Sequence, residues 1–190
     1  MIAFGMNKAK SDIKAEVLDK YIYRIAEGDK SYLGSLYEAT KSAIYGFALS
    51  LIKNPVDAED ILQDVYVHIY NGAKTYKSKG KPMAWMLTIT RNLAFMKIRD
   101  QGKTTLLSPE DISFVDQPAV TDEDRMVLQA MLNDLNDEER QIVVLHSLTG
   151  LKHREIADLL KMPLSTVLSK YNRAIKKLRN ILEEEEANGR

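Results

Sequence analysis

Hydrophobic residues recur at three- and four-residue spacing along most of this chain, which is the period of an amphipathic helix. Ile61, Leu62, Val65, Tyr66 and Ile69 follow this spacing in the N-terminal half. Alternating polar and β-branched residues, which indicate strands, are scarce. The pattern therefore predicts an all-α protein of roughly six to eight helices.

Signals for the start of a helix occur at two points in this pattern. Asn54 offers a capping side chain immediately before Pro55, a residue that suits the first helical turn. Asn136 is followed three residues later by Glu139, as in a capping box. Both signals predict helices that begin at these points.

The periodic pattern divides into two helical domains, at residues 1–102 and 126–190. Residues 103–125 between them contain two prolines and an acidic bias without sustained periodicity, which predicts a flexible acidic linker. Fully extended, such a segment reaches on the order of 75 Å. The two domains could therefore act at well-separated sites.

The most informative pattern lies between residues 151 and 182. A short apolar helix around Ile156 is broken at Lys161 to Pro163, and a longer helix with one apolar and one cationic arc follows. A solvated surface helix would show the same arcs, but the short helix and turn before it favour a helix-turn-helix, whose second helix enters the major groove of DNA. The polar arc carries Thr166, Ser169, Lys170, Arg173, Lys176 and Lys177.

An acidic segment opens the helix that follows Asn54, with the sequence DAED at residues 57–60. Carboxylates at a helix N-terminus are favoured by the helix dipole, and that structural role accounts for part of the pattern. Asp60, Gln63 and Asp64 nevertheless share one face opposite the apolar stripe. This face, which we name the acidic ridge, predicts docking onto a basic protein surface.

Basic and aromatic residues are interleaved in the next segment. The loop at residues 76–81 reads YKSKGK, and we name it the basic loop. Single-stranded nucleic acid binds to such surfaces because phosphates attract cations and unstacked bases pack on aromatic rings. The spacing of Trp85 with Leu87, Ile89, Leu93 and Phe95 is more often that of core residues, but a core role does not explain the cations around it. The candidate contacts are Lys77, Lys79, Lys81, Trp85, Arg91, Asn92, Lys97 and Arg99.

Composition narrows the class of protein. The 190 residues carry 27 basic and 27 acidic side chains, so the cations that DNA requires come from local segregation of charge. The chain has no cysteine, which excludes disulfides and thiolate metal sites. The N-terminus has no apolar run long enough for a signal peptide or membrane span. We expect a soluble cytoplasmic protein without membrane insertion, metal or cofactor.

Three motifs, in this order, resemble the bacterial sigma factors of the extracytoplasmic-function group within the sigma-70 family. They are DAEDILQDVY at residues 57–66, WMLTITRNLA at residues 85–94, and EIA at residues 155–157 followed by STV at residues 165–167. The resemblance implies sigma region 2 in the first domain and sigma region 4 in the second. It implies a protein that is not an enzyme and that directs core RNA polymerase to specific promoters.

The resemblance also implies a role for each surface. Region 2 of such factors docks on the clamp coiled coil of the polymerase through the acidic ridge, and its loop and next helix contact and help to open the minus-ten promoter element. Asn92 is the expected polar contact to a minus-ten base. Region 4 reads the minus-thirty-five element with its helix-turn-helix and docks on the polymerase flap. The family often has anti-sigma partners, so such a partner is a further hypothesis.

Some residues depart from the family pattern. Met96 stands where aspartate is usual. Lys161 occupies a turn position often held by glycine, and a left-handed conformation there costs on the order of 1–2 kcal/mol. Leu168 replaces a usual basic residue, and we expect it to pack with the apolar arc.

Two alternative functions remain open. A stand-alone helix-turn-helix regulator would bind duplex DNA, but it would not need the acidic ridge and the basic-aromatic helix. A helical metal-dependent hydrolase could use Asp57, Glu59, Asp60, Asp64 and His68. Helical carboxylate sites usually take ligands from facing helices, such as repeated Glu-x-x-His motifs, and the sequence contains none.

Overall fold

The computed structural model describes residues 14–101 and 134–188. These residues form seven α-helices and one 3-10 turn at Ala73–Thr75, with no strand among them. The all-α prediction is therefore confirmed. The predicted linker at residues 103–125 lies outside the described residues, and so do residues 1–13 of the N-terminal segment. The helices are α1 Ala15–Ala26, α2 Ser31–Ile52, α3 Pro55–Gly72, α4 Pro82–Gln101, α5 Asp137–Thr149, α6 His153–Leu160 and α7 Leu164–Asn188.

Helix α2 is the centre of the fold. Every residue from Ala43 to Leu51 is buried, as expected of a helix with apolar residues on all sides. It packs against α1, α3 and α4 of the first domain and against α5 of the second. Its Phe47 is fully buried, as are Leu62 of α3 and Leu87 of α4.

The second domain packs α5 and α6 against α7, with Val167 and Ala174 fully buried. The contact of α5 with α2 joins the cores of both domains, and the Lys53 ammonium lies 2.7 Å from the Asp137 carboxylate at its edge. The sequence pattern separated the two domains, but it did not predict this interface.

The predicted helix starts are confirmed. The Asn54 side chain accepts hydrogen bonds from the backbone N–H groups of Val56 and Asp57, at 2.9 and 3.1 Å. The Asn136 side chain accepts from the Glu139 N–H at 2.9 Å, and the Glu139 carboxylate accepts in return from the Asn136 N–H. These caps satisfy N–H groups that a helix leaves without partners.

The turn between α6 and α7 passes through Lys161, which has φ 59° and ψ 41°. The left-handed conformation considered for this lysine is therefore present. The next N–H, that of Met162, donates to the Ala157 carbonyl at 3.0 Å and closes the end of α6. The tight turn directs α7 away from α6, as a helix-turn-helix requires.

Candidate nucleic-acid interface

The acidic ridge lies on the outer face of α3. Asp60, Gln63 and Asp64 are all exposed, while Ile61 and Val65 on the opposite face are buried. The predicted arrangement of these side chains is therefore present. Asp60 already has one cationic partner, because its carboxylate lies 2.8 Å from the Lys97 ammonium.

Lys97 joins α4 to the start of α3. Its ammonium lies 2.8 Å from carboxylate oxygens of both Asp57 and Asp60. Partial burial opposes its charge, but the hydrogen bonds to the two carboxylates outweigh burial and raise the pKa of Lys97. On the helical wheel Lys97 is at least about 120° away from Arg91, Asn92 and Arg99. The structure thus does not bring Lys97 together with the other predicted cations of this helix.

The outward arc of α4 carries Arg91, Asn92, Phe95 and Arg99. The guanidinium carbon of Arg91 lies 4.7 Å from the centre of the Phe95 ring, and the Arg99 side chain pairs only loosely with Asp100, at 3.7 Å. Phe95 is 44% exposed, so its expected core position is wrong. On the wheel it lies on the side of Arg91, away from the residues of α4 that face the core.

Trp85 packs against the first domain. Its ring centre lies 4.6 Å from that of Tyr76. Its Cζ2 atom lies next to Gly72, since a Cβ atom added to this glycine would be 3.8 Å away. The indole is half-buried, and its packing agrees with the core alternative for the part that contacts Tyr76, the first residue of the basic loop. Lys77, Lys79 and Lys81 of that loop are exposed, and Lys81 lies 3.5 Å from Glu155 of α6.

Sequence reasoning missed Asp19 and Tyr23 of α1. The Asp19 carboxylate accepts hydrogen bonds from the Tyr76 hydroxyl at 2.5 Å and the Ser78 hydroxyl at 2.6 Å. The Tyr23 hydroxyl oxygen accepts from the Ser78 N–H at 3.3 Å. No local pattern could have revealed these contacts, because Asp19 and Ser78 are 59 positions apart.

The recognition helix α7 buries Val167, Ala174 and Leu178 and exposes Ser169, Arg173, Lys176 and Lys177. Thr166 is half-buried at the start of the helix. Leu168 is 40% exposed, so its expected packing is wrong. On the wheel it lies about 100° from Val167, outside the narrow stripe that reaches the core.

Lys170 and Lys177 are the other two predicted contacts on α7, and both are paired with acids of α5. The Lys170 ammonium lies 2.5 Å from Glu138, and that of Lys177 lies 2.7 Å from Glu139. The Glu139 residue is only 1% exposed. Two lysines of the predicted set therefore fix α7 on α5, while Ser169, Arg173 and Lys176 point outward.

The residues proposed for a metal-dependent hydrolase do not form a site. Among the side chains described, no three His, Cys, Asp or Glu residues form a group that could hold a metal ion. His68 is exposed, while His146 and His153 stack at 4.5 Å and contact the Tyr171 ring. No helix in the described part of the chain is both long and apolar enough to cross a membrane.

Comparison with known families identifies the two domains. Residues 36–104 match Sigma-70 region 2, and residues 125–178 match Sigma-70 region 4. The chain belongs to the sigma-70 family of RNA polymerase sigma factors, within the extracytoplasmic-function group. It binds core RNA polymerase and promoter DNA and directs promoter-specific transcription initiation; sigma factors are not enzymes.

Individual relatives agree with this assignment. The extracytoplasmic-function sigma factor SigK of Mycobacterium sp. (strain KMS) is 29% identical over 176 residues, which cover 87% of this chain and 90% of SigK. SigK of Mycobacterium tuberculosis (strain ATCC 25177 / H37Ra) is 27% identical over 177 residues, covering 87% and 94% of the two chains.

Two solved structures share the fold. The sigma factor RpoE of Bartonella quintana, in complex with the anti-sigma factor NepR, superposes with a TM-score of 0.63 at 22% identity and covers 81% of this chain and 98% of its own. CnrH, in complex with the cytosolic domain of CnrY, has a TM-score of 0.58 at 21% identity and covers 88% and 97%.

Proposed function

We propose that this sigma factor divides its work among three surfaces, carried by region 2 at residues 1–102 and region 4 at residues 126–190, with a linker at 103–125. The acidic ridge of Asp60, Gln63 and Asp64 docks on the clamp coiled coil of core polymerase. Region 4 also contacts the polymerase flap. The observation that carries the proposal is the exposure of this ridge on the same chain as an outward-facing recognition helix.

The minus-ten surface consists of the basic loop and the outward arc of α4. Separating strands costs a few kcal/mol per unstacked base, and stacking on aromatic rings returns about 1–3 kcal/mol for each captured base. Asn92 contacts a base edge, and Lys77, Lys79, Lys81, Arg91 and Arg99 contact phosphates. Trp85 acts by holding the loop. Lys97 must leave Asp57 and Asp60 before it can bind phosphate, so Arg91 and Arg99 are the better supported contacts.

The minus-thirty-five surface is the outward face of α7. Thr166, Ser169, Lys170 and Arg173 lie on the first half of the helix, where base edges are reached. Lys176 and Lys177 lie further along and suit phosphate contacts, which position the helix without reading sequence. The exposure of Ser169, Arg173 and Lys176 supports them most strongly.

An anti-sigma partner that covers these surfaces is part of the proposal, supported by the relative that is in complex with NepR. The chain works in the cytoplasm, where polymerase and promoter DNA are found. Pull-down from cells should recover a partner besides polymerase. Recovery of polymerase alone would count against an anti-sigma factor.

Reconstitution with core polymerase tests the proposal. With core polymerase, the purified chain should start transcription at selected promoters. Asp64→Asn should weaken its binding to core polymerase about fivefold to tenfold, because a charge at the rim of the docking interface is lost. Glu16→Gln, which neutralises another exposed acid on α1, is the matched charge control. A chain that binds duplex DNA but cannot direct core polymerase would be a stand-alone regulator.

A further inference from the structure

The basic loop is held by one carboxylate from a different helix. Asp19 of α1 accepts hydrogen bonds from the hydroxyls of Tyr76 and Ser78, one on each of its oxygens, at 2.5 and 2.6 Å. Tyr76 and Ser78 flank Lys77, the first cation of the loop. Helix α1 precedes the segment that matches Sigma-70 region 2, which begins at residue 36, so the comparisons assign no role to Asp19.

The two hydroxyl bonds extend into a short network through the loop. The Ser78 hydroxyl donates to Asp19, and its oxygen accepts from the Gly80 N–H at 3.2 Å, so this hydroxyl acts as both donor and acceptor. Gly80 has φ +69°, a conformation that favours glycine. Lys79 lies between these two residues, so its backbone direction depends on the Ser78 bond.

The first loop residue is also fixed by packing. The Tyr76 ring is buried between Tyr23, with ring centres 5.9 Å apart, and Trp85, at 4.6 Å. Burial, together with the hydrogen bond to Asp19, raises the pKa of Tyr76. The phenol therefore stays protonated at neutral pH and remains a donor to Asp19.

We propose that Asp19 is a positioning residue, which holds the basic loop in the shape in which its lysines meet the melted minus-ten strand. This inference rests on the proposed role of the loop in minus-ten binding. A loop held in its bound shape loses less conformational entropy when the strand binds. Asp19 thus strengthens DNA binding although it carries the same charge sign as DNA.

The charge of Asp19 and its positioning role have opposite effects on DNA affinity. The direction in which Asp19→Asn changes that affinity therefore decides between them. Asp19→Asn removes a negative charge next to Lys77, Lys79 and Lys81, and electrostatics alone would then tighten DNA binding. Loss of positioning weakens it instead, because an amide is a poorer acceptor than a carboxylate for the two hydroxyls. Glu16→Gln removes the same charge from an exposed position on the same helix, and so serves as the matched control.

The measurement is the affinity of the holoenzyme for a forked promoter DNA with a single-stranded minus-ten segment, taken at several salt concentrations. Asp19→Asn should weaken binding about tenfold, equivalent to about 1.4 kcal/mol. It should not change the salt slope, which is the slope of log affinity against log salt concentration. Lys79→Ala should lower the salt slope by about 1. Glu16→Gln should bind as tightly as the parent chain or slightly more tightly.

Two further variants separate positioning from a loss of folding. Ser78→Ala and Tyr76→Phe each remove one hydroxyl and keep the backbone or the ring. Each should weaken fork binding, and each should add little to Asp19→Asn because the groups form one network. Thermal unfolding and binding to core polymerase, measured for all variants, show whether the fold is retained.

Unchanged or tighter fork binding by Asp19→Asn would overturn the positioning role. Should Asp19→Asn misfold, unchanged binding by both Ser78→Ala and Tyr76→Phe would overturn it equally. A different result would contradict the proposed role of the basic loop in minus-ten binding. If Lys77→Ala, Lys79→Ala and Lys81→Ala all leave affinity and salt slope unchanged, the basic loop does not contact the strand.

Discussion

The two proposed DNA-binding helices, α4 and α7, use their cations in different ways. On α7, Lys170 and Lys177 pair with acids at the start of α5, which belongs to the same domain. On α4, Lys97 pairs with Asp57 and Asp60, and Asp60 also belongs to the acidic ridge. Pairing in region 4 therefore fixes the recognition helix, whereas pairing in region 2 links the DNA-binding helix to the proposed polymerase-docking surface.

The difference shows how a neutral chain can present cationic surfaces. Within the described residues, no carboxylate forms an ion pair with Arg91 of α4 or with Arg173 and Lys176 of α7. Lys97, Lys170 and Lys177 are neutralised by nearby acids, whereas the cations without such a pair remain available. The position of a cation on the helical wheel, more than the number of cations, separates those that fix a helix from those available to contact DNA.

The largest effect is expected at the acid that supports α7. Glu139 is buried, caps α5 and pairs with Lys177. Glu139→Ala should lower the free energy of unfolding by about 2–3 kcal/mol, from the lost cap and charged hydrogen bond. Chemical unfolding followed by circular dichroism measures this, with the more exposed Glu138→Ala as the control. Equal losses in both variants would contradict the special role of Glu139.

The next effect concerns DNA sequence. Arg173→Ala should lose about 1–3 kcal/mol of binding and relax preference at one base position of the minus-thirty-five element. Lys176→Ala should weaken binding to all variants alike and lower the salt slope by about 1. Affinities of the holoenzyme for a series of promoter variants measure both. Uniform weakening by Arg173→Ala would remove its assignment as a base contact.

A smaller effect is expected for Lys97. Lys97→Met should reduce stability by less than about 1 kcal/mol, because the pairs are partly exposed, and should leave the salt slope of fork binding unchanged. Arg91→Ala, the control on the outward arc, should lower that slope by about 1. If Lys97→Met lowers the slope as much as Arg91→Ala, Lys97 binds phosphate and the comparison between the helices fails.

The smallest effect concerns pH. Burial and the neighbouring His146 lower the pKa of His153 below its ordinary 6.5. The unfolded chain therefore binds a proton first as pH falls, so this contribution to stability is present above about pH 6.5 and is lost at lower pH. His153→Phe, which keeps a ring against His146 and Tyr171, should make unfolding less sensitive to acid, because the group that takes up the proton is removed. Identical pH profiles for parent and variant would contradict this.

Local signals predicted much of the fold and part of the site. The caps at Asn54 and Asn136 and the exposure of Asp60, Gln63 and Asp64 depend on residues close in sequence, so spacing is sufficient to predict them. The left-handed conformation of Lys161 is suggested only by the family resemblance. Phe95 and Leu168 are more exposed than their apolar character predicts, because their positions on the helical wheel lie outside the stripe that reaches the core. The links from Asp19 to Ser78 and from α2 to α5 connect distant segments, which helical periodicity does not encode.

The central claim is that α4 and α7 contact separate promoter elements through their outward cations. The most direct measurement compares Arg91→Ala and Arg173→Ala in holoenzyme binding to two forked DNAs, one with and one without the minus-thirty-five element. Arg173→Ala should weaken binding only to the DNA that contains the element, and Arg91→Ala should weaken binding to both by the same factor. Equal losses for the two variants on both DNAs would contradict the claim.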